Sequence, residues 1–323
     1  MEVGNTIAGR SFAWNPDMTR RAFLAGVGAV GAVGIAEGVS LQTPTKLAVR
    51  FGVVTDAHYS TQKTVGDRHY GDSLAKMRQA VDAFNGGNLD FAIELGDLKD
   101  MGPKPDRDET LRFLDAIEGA FAQFKGPRYH VLGNHDMDCI SKEDFLAHTG
   151  NHGAAKGKKH YAFETGGVKF VVLDACYNKD RTPYHCGNFD WTQAYIPDDE
   201  LDWFDAELKK ATTPVVVFCH QMLDGFSATG ALGVLVVGNW KQIAGIMESC
   251  GSVVAAIQGH HHAGHYSFRN GIHYWTMKGM ITGAHPPHNS YAVVEVSPSG
   301  SISISGFGDC KSCDLQRGRA IGS

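Results

Sequence analysis

Beyond Arg50 the chain reads as an α/β protein. Short apolar, β-branched runs alternate with segments of helical period, and one run after another ends in a cluster of polar, ligand-type side chains. The runs 47–54, 91–95, 129–132, 168–173, 214–218 and 252–257 are too short for helices and too continuously apolar for half-exposed strands, so buried strands are expected. Between them Leu74, Met77, Val81 and Phe84 recur at helical spacing behind a candidate cap, Asp72, and stop at Gly86-Gly87. Leu111, Leu114, Ile117, Phe121 and Phe124 stop at Gly126-Pro127. Leu201, Phe204 and Leu208 follow Pro197-Asp198, and Ile243, Ile246, Met247 and Cys250 stop at Gly251. These stripes are core faces without chemistry of their own. The runs 272–277, 291–296 and 301–305 alternate like a hairpin-rich sheet. No repeat or linker interrupts the pattern, so one domain is expected over 47–308, preceded by a leader and connector at 1–46 and followed by a tail at 309–323.

Composition narrows the function classes. At roughly 150 residues per domain, 323 residues allow two domains or one large α/β unit. Thirty Lys and Arg against 35 Asp and Glu give a net charge of −5, so no broad nucleic-acid-binding surface is expected. A 43% hydrophobic content with 17 Phe, 10 Tyr and 5 Trp excludes a disordered chain, and 7 Cys exclude a disulfide-stapled miniprotein. The unusual count is 16 His, many of them gathered.

The segment from Met18 to Leu24 places Arg20-Arg21 before an apolar, Gly/Ala-rich run ending at Ala36, and a polar connector follows. That order resembles a bacterial export signal of the twin-arginine type. The twin-arginine export machinery is therefore an expected partner, and a periplasmic or extracellular location is expected. The run 22–36 is shorter than the roughly 20 residues of a bilayer span, so no permanent membrane span is expected and an uncleaved anchor is the less favoured outcome. A Gly-rich N-terminal helix is the plain alternative, and Met18 is an alternative start. An odd number of cysteines leaves at least one unpaired. Cys310 and Cys313 read as a local pair or two inert tail thiols, and Cys176 with Cys186 is a further candidate pair.

Five apolar runs hand over to Asp56-Ala57-His58, Gly96-Asp97-Leu98-Lys99-Asp100, Gly133-Asn134-His135-Asp136, Cys219-His220 and Gly259-His260-His261-His262. In open α/β sheets, ligands gather beyond the carboxyl ends of strands, where several loops converge. Any one cluster reads as an ordinary turn; five in this order are a site. The carboxylate, amide and imidazole donors suit Mn, Fe or Zn better than a pure oxygen cage for Ca or Mg.

The ordered set Asp-x-His, Gly-Asp-x-x-Asp, Gly-Asn-His-Asp, a lone His and Gly-His-x-His resembles the calcineurin-like metallophosphoesterase superfamily over about 50–308. The resemblance implies a four-layer sandwich, two mixed β-sheets flanked by helices, holding two metal ions. Asp56, His58 and His262 would bind one ion, Asn134, His220 and His260 the other, and Asp97 would bridge them. Two ions roughly 3.5–4 Å apart can hold phosphoryl oxygens and lower the pKa of a bridging water toward neutrality, so that hydroxide attacks in line with the leaving oxygen. His135 would then hydrogen-bond to and protonate the leaving group, with Asp136 orienting its ring and Asp100 in support; bracing of the loop is the plain alternative. Lys99 and His261 receive no role.

Arg68-His69-Tyr70 with Ser73-Leu74, the stretch 159–163, His220-Gln221 with Gly238-Asn239-Trp240, and Gly271-Ile272-His273-Tyr274 are similar to manganese-dependent ADP-ribose/CDP-alcohol diphosphatases and their bacterial relatives. His58 stands where the animal branch carries Gln, which bears on metal preference. Tyr59, Tyr70, Asn239, Trp240 and Trp275 are candidates for stacking on a base or sugar, with ordinary packing as the alternative. The expected substrate is a small phosphate ester or nucleotide-type compound. An exported phosphomonoesterase on the same bimetal core and a silent phosphate- or polyanion-binding protein are the alternatives.

Overall fold

A computed structural model describes residues 48–225 and 230–318. The expected leader at 1–46 lies outside the described residues. Among those described, no helix is long and apolar enough to cross a membrane.

Two six-stranded sheets face each other. The first has the order β12-β11-β10-β1-β2-β3, built from β1 (Val49–Val54), β2 (Phe91–Glu94), β3 (Arg128–His130), β10 (Ser290–Val296), β11 (Ile302–Gly308) and β12 (Cys313–Leu315). The second has the order β4-β5-β6-β7-β9-β8, built from β4 (Tyr161–Thr165), β5 (Val168–Val172), β6 (Val215–Cys219), β7 (Val253–Gln258), β8 (His265–Arg269) and β9 (Ile272–Thr276). Within them β1, β2 and β3 run parallel, as do β5, β6, β7 and β9, while β10 lies antiparallel to β1 and β4 to β5. Both sheets are thus mixed. Helices α1 (Ser73–Gly86) and α2 (Arg107–Phe121) cover the first sheet, and α4 (Asp198–Lys209) and α5 (Trp240–Cys250) cover the second.

The continuous apolar runs follow from burial on two faces. In β6, Val216 and Phe218 enter the core between the sheets, while Val215, Val217 and Cys219 face Leu201, Phe204, Ile243 and Met247 of the outer helices. Aromatic rings fill the space between the sheets. Phe51 stacks on Phe91 at 4.6 Å, Phe163 on Phe170 at 5.1 Å and Phe170 on Phe218 at 5.8 Å, and the Phe51 and Phe170 rings meet edge to face at 5.5 Å.

Several expectations are corrected. Asp72 stands at the N-terminus of α1, but its carboxylate accepts a hydrogen bond from the His285 N–H at 2.9 Å instead of capping the helix. A fifth helix, α3 (Lys142–His148), is held by a capping box of Ser141 and Asp144. The supposed tail at 309–323 contributes β12, which pairs antiparallel with β11 and buries Leu315. All seven cysteines are free. Cys176 does not pair with Cys186: the buried Cys176 thiol donates to the Leu132 carbonyl, and Cys186 faces Cys139.

Candidate metal centre

The five polar clusters leave the carboxyl ends of β1, β2, β3, β6 and β7, so two sheets deliver their ligand residues to one edge of the sandwich. Asp56, His58 and His262 bring donor atoms within 4.8 Å of one another, and Asp97, His220 and His260 do the same. The first group is tight: Asp56 Oδ1 lies 3.2 Å from His262 Nε2, and His58 Nε2 lies 3.0 Å from His262 Nε2. Asp97 stands between the groups, with Oδ2 3.1 Å from His220 Nε2 and 3.5 Å from His58 Nε2. Asn134 lines the same cleft.

Three of the candidate ligands, Asp56, Asp97 and His220, have one atom held by the protein and leave another free, which orients donors before a metal arrives. Asp56 Oδ2 accepts from the Thr55 hydroxyl at 2.7 Å and the His260 N–H at 3.1 Å, leaving Oδ1. Asp97 Oδ1 accepts from the His135 N–H at 2.7 Å, leaving Oδ2. His220 Nδ1 donates to the Leu95 carbonyl at 2.8 Å, leaving Nε2. Among the described residues, Asp56 Oδ1, both amide atoms of Asn134, His220 Nε2 and His260 Nε2 are buried without any hydrogen-bond partner. Leaving that many buried polar atoms unpaired is costly; a pair of cations would take up the lone-pair atoms among them, Asp56 Oδ1, Asn134 Oδ1, His220 Nε2 and His260 Nε2, whereas the Asn134 NH2 is a donor that no cation satisfies. The residues fit two metal ions.

The backbone is strained where the ligands attach. Asp56, His58, Asp97 and His260 have φ of +53°, +48°, +56° and +68°, a region that non-glycine residues rarely occupy and that costs about 1–3 kcal/mol per residue. Glycine would relieve this strain and would remove the donor. Glycines do precede the ligands where chains touch: a Cβ on Gly96 would lie 2.7 Å from Gly133 Cα, and one on Gly133 would overlap the Asp97 backbone nitrogen.

Burial opposes ionisation of Asp97, but the facing His220, His135 and His58 outweigh it and hold the carboxyl below its usual range. Burial, with help from His220, pushes His260 down to about 3, so it is a neutral donor. For His135, burial is outweighed by the Asp100 and Asp97 carboxylates, which raise the imidazole well above its ordinary value.

His135 stands beside the ligands, its ring centroid 4.8 Å from that of His58 in an edge-to-face arrangement. Its orienting partner is not Asp136. The Asp136 carboxylate is buried and accepts from the Gly133, Asp97 and Leu98 N–H groups at 2.9, 3.0 and 2.9 Å, tying the second and third ligand loops together. The His135 ring instead presents Nδ1 to Asp100 at 3.3 Å and to Asp138 at 3.8 Å. Lys99 is fully buried and completes the arrangement, its ammonium donating to the His135 carbonyl at 2.6 Å and to Asp138 at 2.5 Å. His261 lies half-buried beside the ligands and has no place in the cleft lining.

The suggested stacking residues are taken up by packing. Tyr70 and Trp275 are buried, and the half-buried Tyr59 packs edge-on against Phe113 at 6.1 Å. The Asn239 amide bridges the Ile196 N–H and carbonyl at 3.2 and 2.8 Å, while Trp240 covers Gly225 and lies under the Arg269 guanidinium at 5.1 Å. The described lining of the cleft is His58, Arg68, Asp97, Asn134, His135, Trp191, Leu235, His260 and His262. Arg68, Trp191 and Leu235 received no role from sequence. One signal was present: 25 residues without regular structure separate β5 from α4, and loops of that length in a compact domain are usually functional.

A family model described as calcineurin-like phosphoesterase matches residues 49–264. Manganese-dependent ADP-ribose/CDP-alcohol diphosphatases from Arabidopsis thaliana and Oryza sativa subsp. japonica are each 24% identical to the chain. The alignments cover 82% of this chain and 96% of the first relative, and 77% and 88% for the second. A dimetal phosphatase from Danio rerio has a similar structure, with a TM-score of 0.71 at 20% identity over 84% of this chain and 99% of that one.

Proposed function

Because the chain belongs to the calcineurin-like phosphoesterase family and is a metal-dependent hydrolase of phosphoric esters or anhydrides, we propose that it acts on phosphodiesters or nucleoside-diphosphate compounds. The observation that carries this reading is the pair Arg68 and Trp191 beside the metal ligands, with Trp191 6.5 Å from the His260 ring. A second phosphate calls for a cation outside the metal pair, and a base or sugar calls for a flat apolar surface. A bare phosphate monoester needs neither. The diphosphatase relatives support the same choice.

Bound at the two donor groups, divalent ions would neutralise phosphoryl charge and supply an acidified water. The chain's own residues do the rest. Among the described lining residues none is Ser, Thr or Cys, which accords with water as the nucleophile. Arg68 holds the non-reacting phosphate. Asp100 and Asp138 fix a proton on His135 Nδ1, so Nε2 faces the cleft and donates its proton to the departing oxygen. Trp191 covers the substituent and excludes solvent.

Mn-, Fe- and Zn-loaded protein assayed against bis(p-nitrophenyl) phosphate, p-nitrophenyl phosphate, ADP-ribose and CDP-choline tests the proposal. Higher kcat/KM on the diester or the diphosphates is expected. A preference for p-nitrophenyl phosphate would move the reading to a phosphomonoesterase, and activity on none to a binding protein. The paired arginines and apolar run at 20–36 support export through the twin-arginine route. Replacing Arg20 and Arg21 by Lys is expected to retain the protein in the cytoplasm on cell fractionation; undiminished export would refute that route.

A further inference from the structure

Two thiols that the hydrolytic site does not use face each other across its border. Cys139 lies four residues beyond His135, just after the turn carrying that histidine, and is buried. Cys186 lies in the long segment between β5 and α4 and is exposed. Their sulfurs are 3.9 Å apart, in van der Waals contact, although the residues are 47 positions apart in sequence. The segment that carries Cys186 also carries Phe189, whose ring meets His135 at 5.3 Å, and Trp191, which lines the cleft. The segment is anchored by Tyr184, buried in the core, and by Phe189 packed against it at 5.9 Å, while its outer residues are held less firmly. The bonds around 178–193 are mostly local, such as those of Asn188 to the Pro183 carbonyl and the His185 N–H, and of Asp180 to Thr182.

We propose that Cys139 and Cys186 form a disulfide-exchange site, which takes oxidising equivalents from a small-molecule disulfide and, once oxidised, staples the Trp191 segment to the His135 turn. The exposed Cys186 thiolate attacks one sulfur of the incoming disulfide. A mixed disulfide forms and the first thiol departs, carrying the Cys186 proton equivalent. Cys139 then attacks the Cys186 sulfur, the second thiol departs with the proton of Cys139, and the protein has lost two hydrogens while one external disulfide has become two thiols. Burial raises the Cys139 thiol above its usual range, so this second step accelerates with pH. Closing the bond takes the sulfurs from 3.9 Å to about 2.05 Å, with the exposed Cys186 as the more accessible partner. A cross-link over 47 positions restricts the unfolded chain strongly and the folded one little.

The test uses the full, metal-loaded chain equilibrated with oxidised glutathione at pH 8 and then mapped by non-reducing peptide mass analysis. The expected product is one linked peptide containing Cys139 and Cys186, two hydrogens lighter than its parts. Tm should rise by roughly 5 °C or more and return on adding a thiol reductant. Tryptic cleavage after Lys179 and Arg181 should slow severalfold. Cys186→Ser, at an exposed position, should abolish all three changes, and Cys139→Ala is the second control. Recovery of Cys186 as a glutathione adduct beside a free Cys139 would overturn the pair. A linked peptide with unchanged cleavage at Lys179 and Arg181 would overturn the staple. Neither outcome depends on the substrate proposed above.

Discussion

His135 is held from three sides: two carboxylates face its ring nitrogen, and the Lys99 ammonium binds its carbonyl. On its proposed role as proton donor to the leaving group, His135→Ala is expected to keep both ions and to lose about a hundredfold or more in turnover of substrates with poor leaving groups. Nearly normal rates are expected with p-nitrophenyl leaving groups. Undiminished turnover of ADP-ribose by the fully metallated variant would contradict the role. Lys99→Met leaves Asp138 buried without its cation and is expected to lower stability by about 3 kcal/mol or more in urea titrations. Farther from the metals, His130 lies buried between Glu118 at 3.2 Å and Glu94 at 3.5 Å. Burial opposes its protonation, but Glu118 and Glu94 outweigh that and push it up to about 9. Its folded pKa exceeds the unfolded one, so its stabilisation is complete below about pH 6.5 and fades as pH rises through about 9; Glu94 beside it, which burial raises to about 8, also costs stability as pH rises. Urea midpoints of metal-loaded protein should therefore fall from pH 6 to pH 9, and His130→Gln should flatten that fall; parallel curves would contradict the assignment. At this scale the ligands were legible in the sequence and their neighbours less so. A donor directly after a strand end has few places to point. Which of Asp100, Asp136 or Asp138 meets the His135 ring depends on how the 135–137 turn winds, and that is set by backbone amides rather than residue type.

At the scale of elements, the strands that sequence revealed are those buried on both faces, such as β6 and β7, because continuous apolar runs admit no other reading. The ones it missed are half-exposed or short: β8 is partly exposed along its whole length, and β12 has three residues at a sheet edge. The loops joining strand ends to ligands are where geometry is tightest. Gly133→Ala would force apart the second and third ligand loops, and it is expected to lower manganese affinity at least tenfold by calorimetric titration while far-ultraviolet circular dichroism is unchanged. Unaltered affinity would show that these loops have slack. Phe170→Ala, by contrast, removes a ring from the centre of the sandwich. It is expected to cost about 3–5 kcal/mol of stability with bound metal retained, which separates the core from the site it supports.

For the whole molecule, local charge decides the ligand. The chain is acidic at −5, yet two divalent ions over the carboxylates of Asp56 and Asp97 leave +4 − 2 = +2 beneath a phosphate, with Arg68 beside it. Two sheets, whose strands come from distant parts of the chain, meet at this one edge, so metal binding ties the halves of the sandwich together. Holding each ion at 100 times its Kd adds about 2.7 kcal/mol per site. Metal-loaded protein should then melt roughly 10 °C above chelator-treated protein, a difference read directly by calorimetry. The most direct test of the account is metal counting by elemental analysis on the wild type and on Asp97→Ala, each paired with hydrolysis of bis(p-nitrophenyl) phosphate. Two ions per wild-type chain, fewer than one in the variant, and no turnover without metal are expected; full turnover by a metal-free chain, or a variant that still holds two ions, would contradict it.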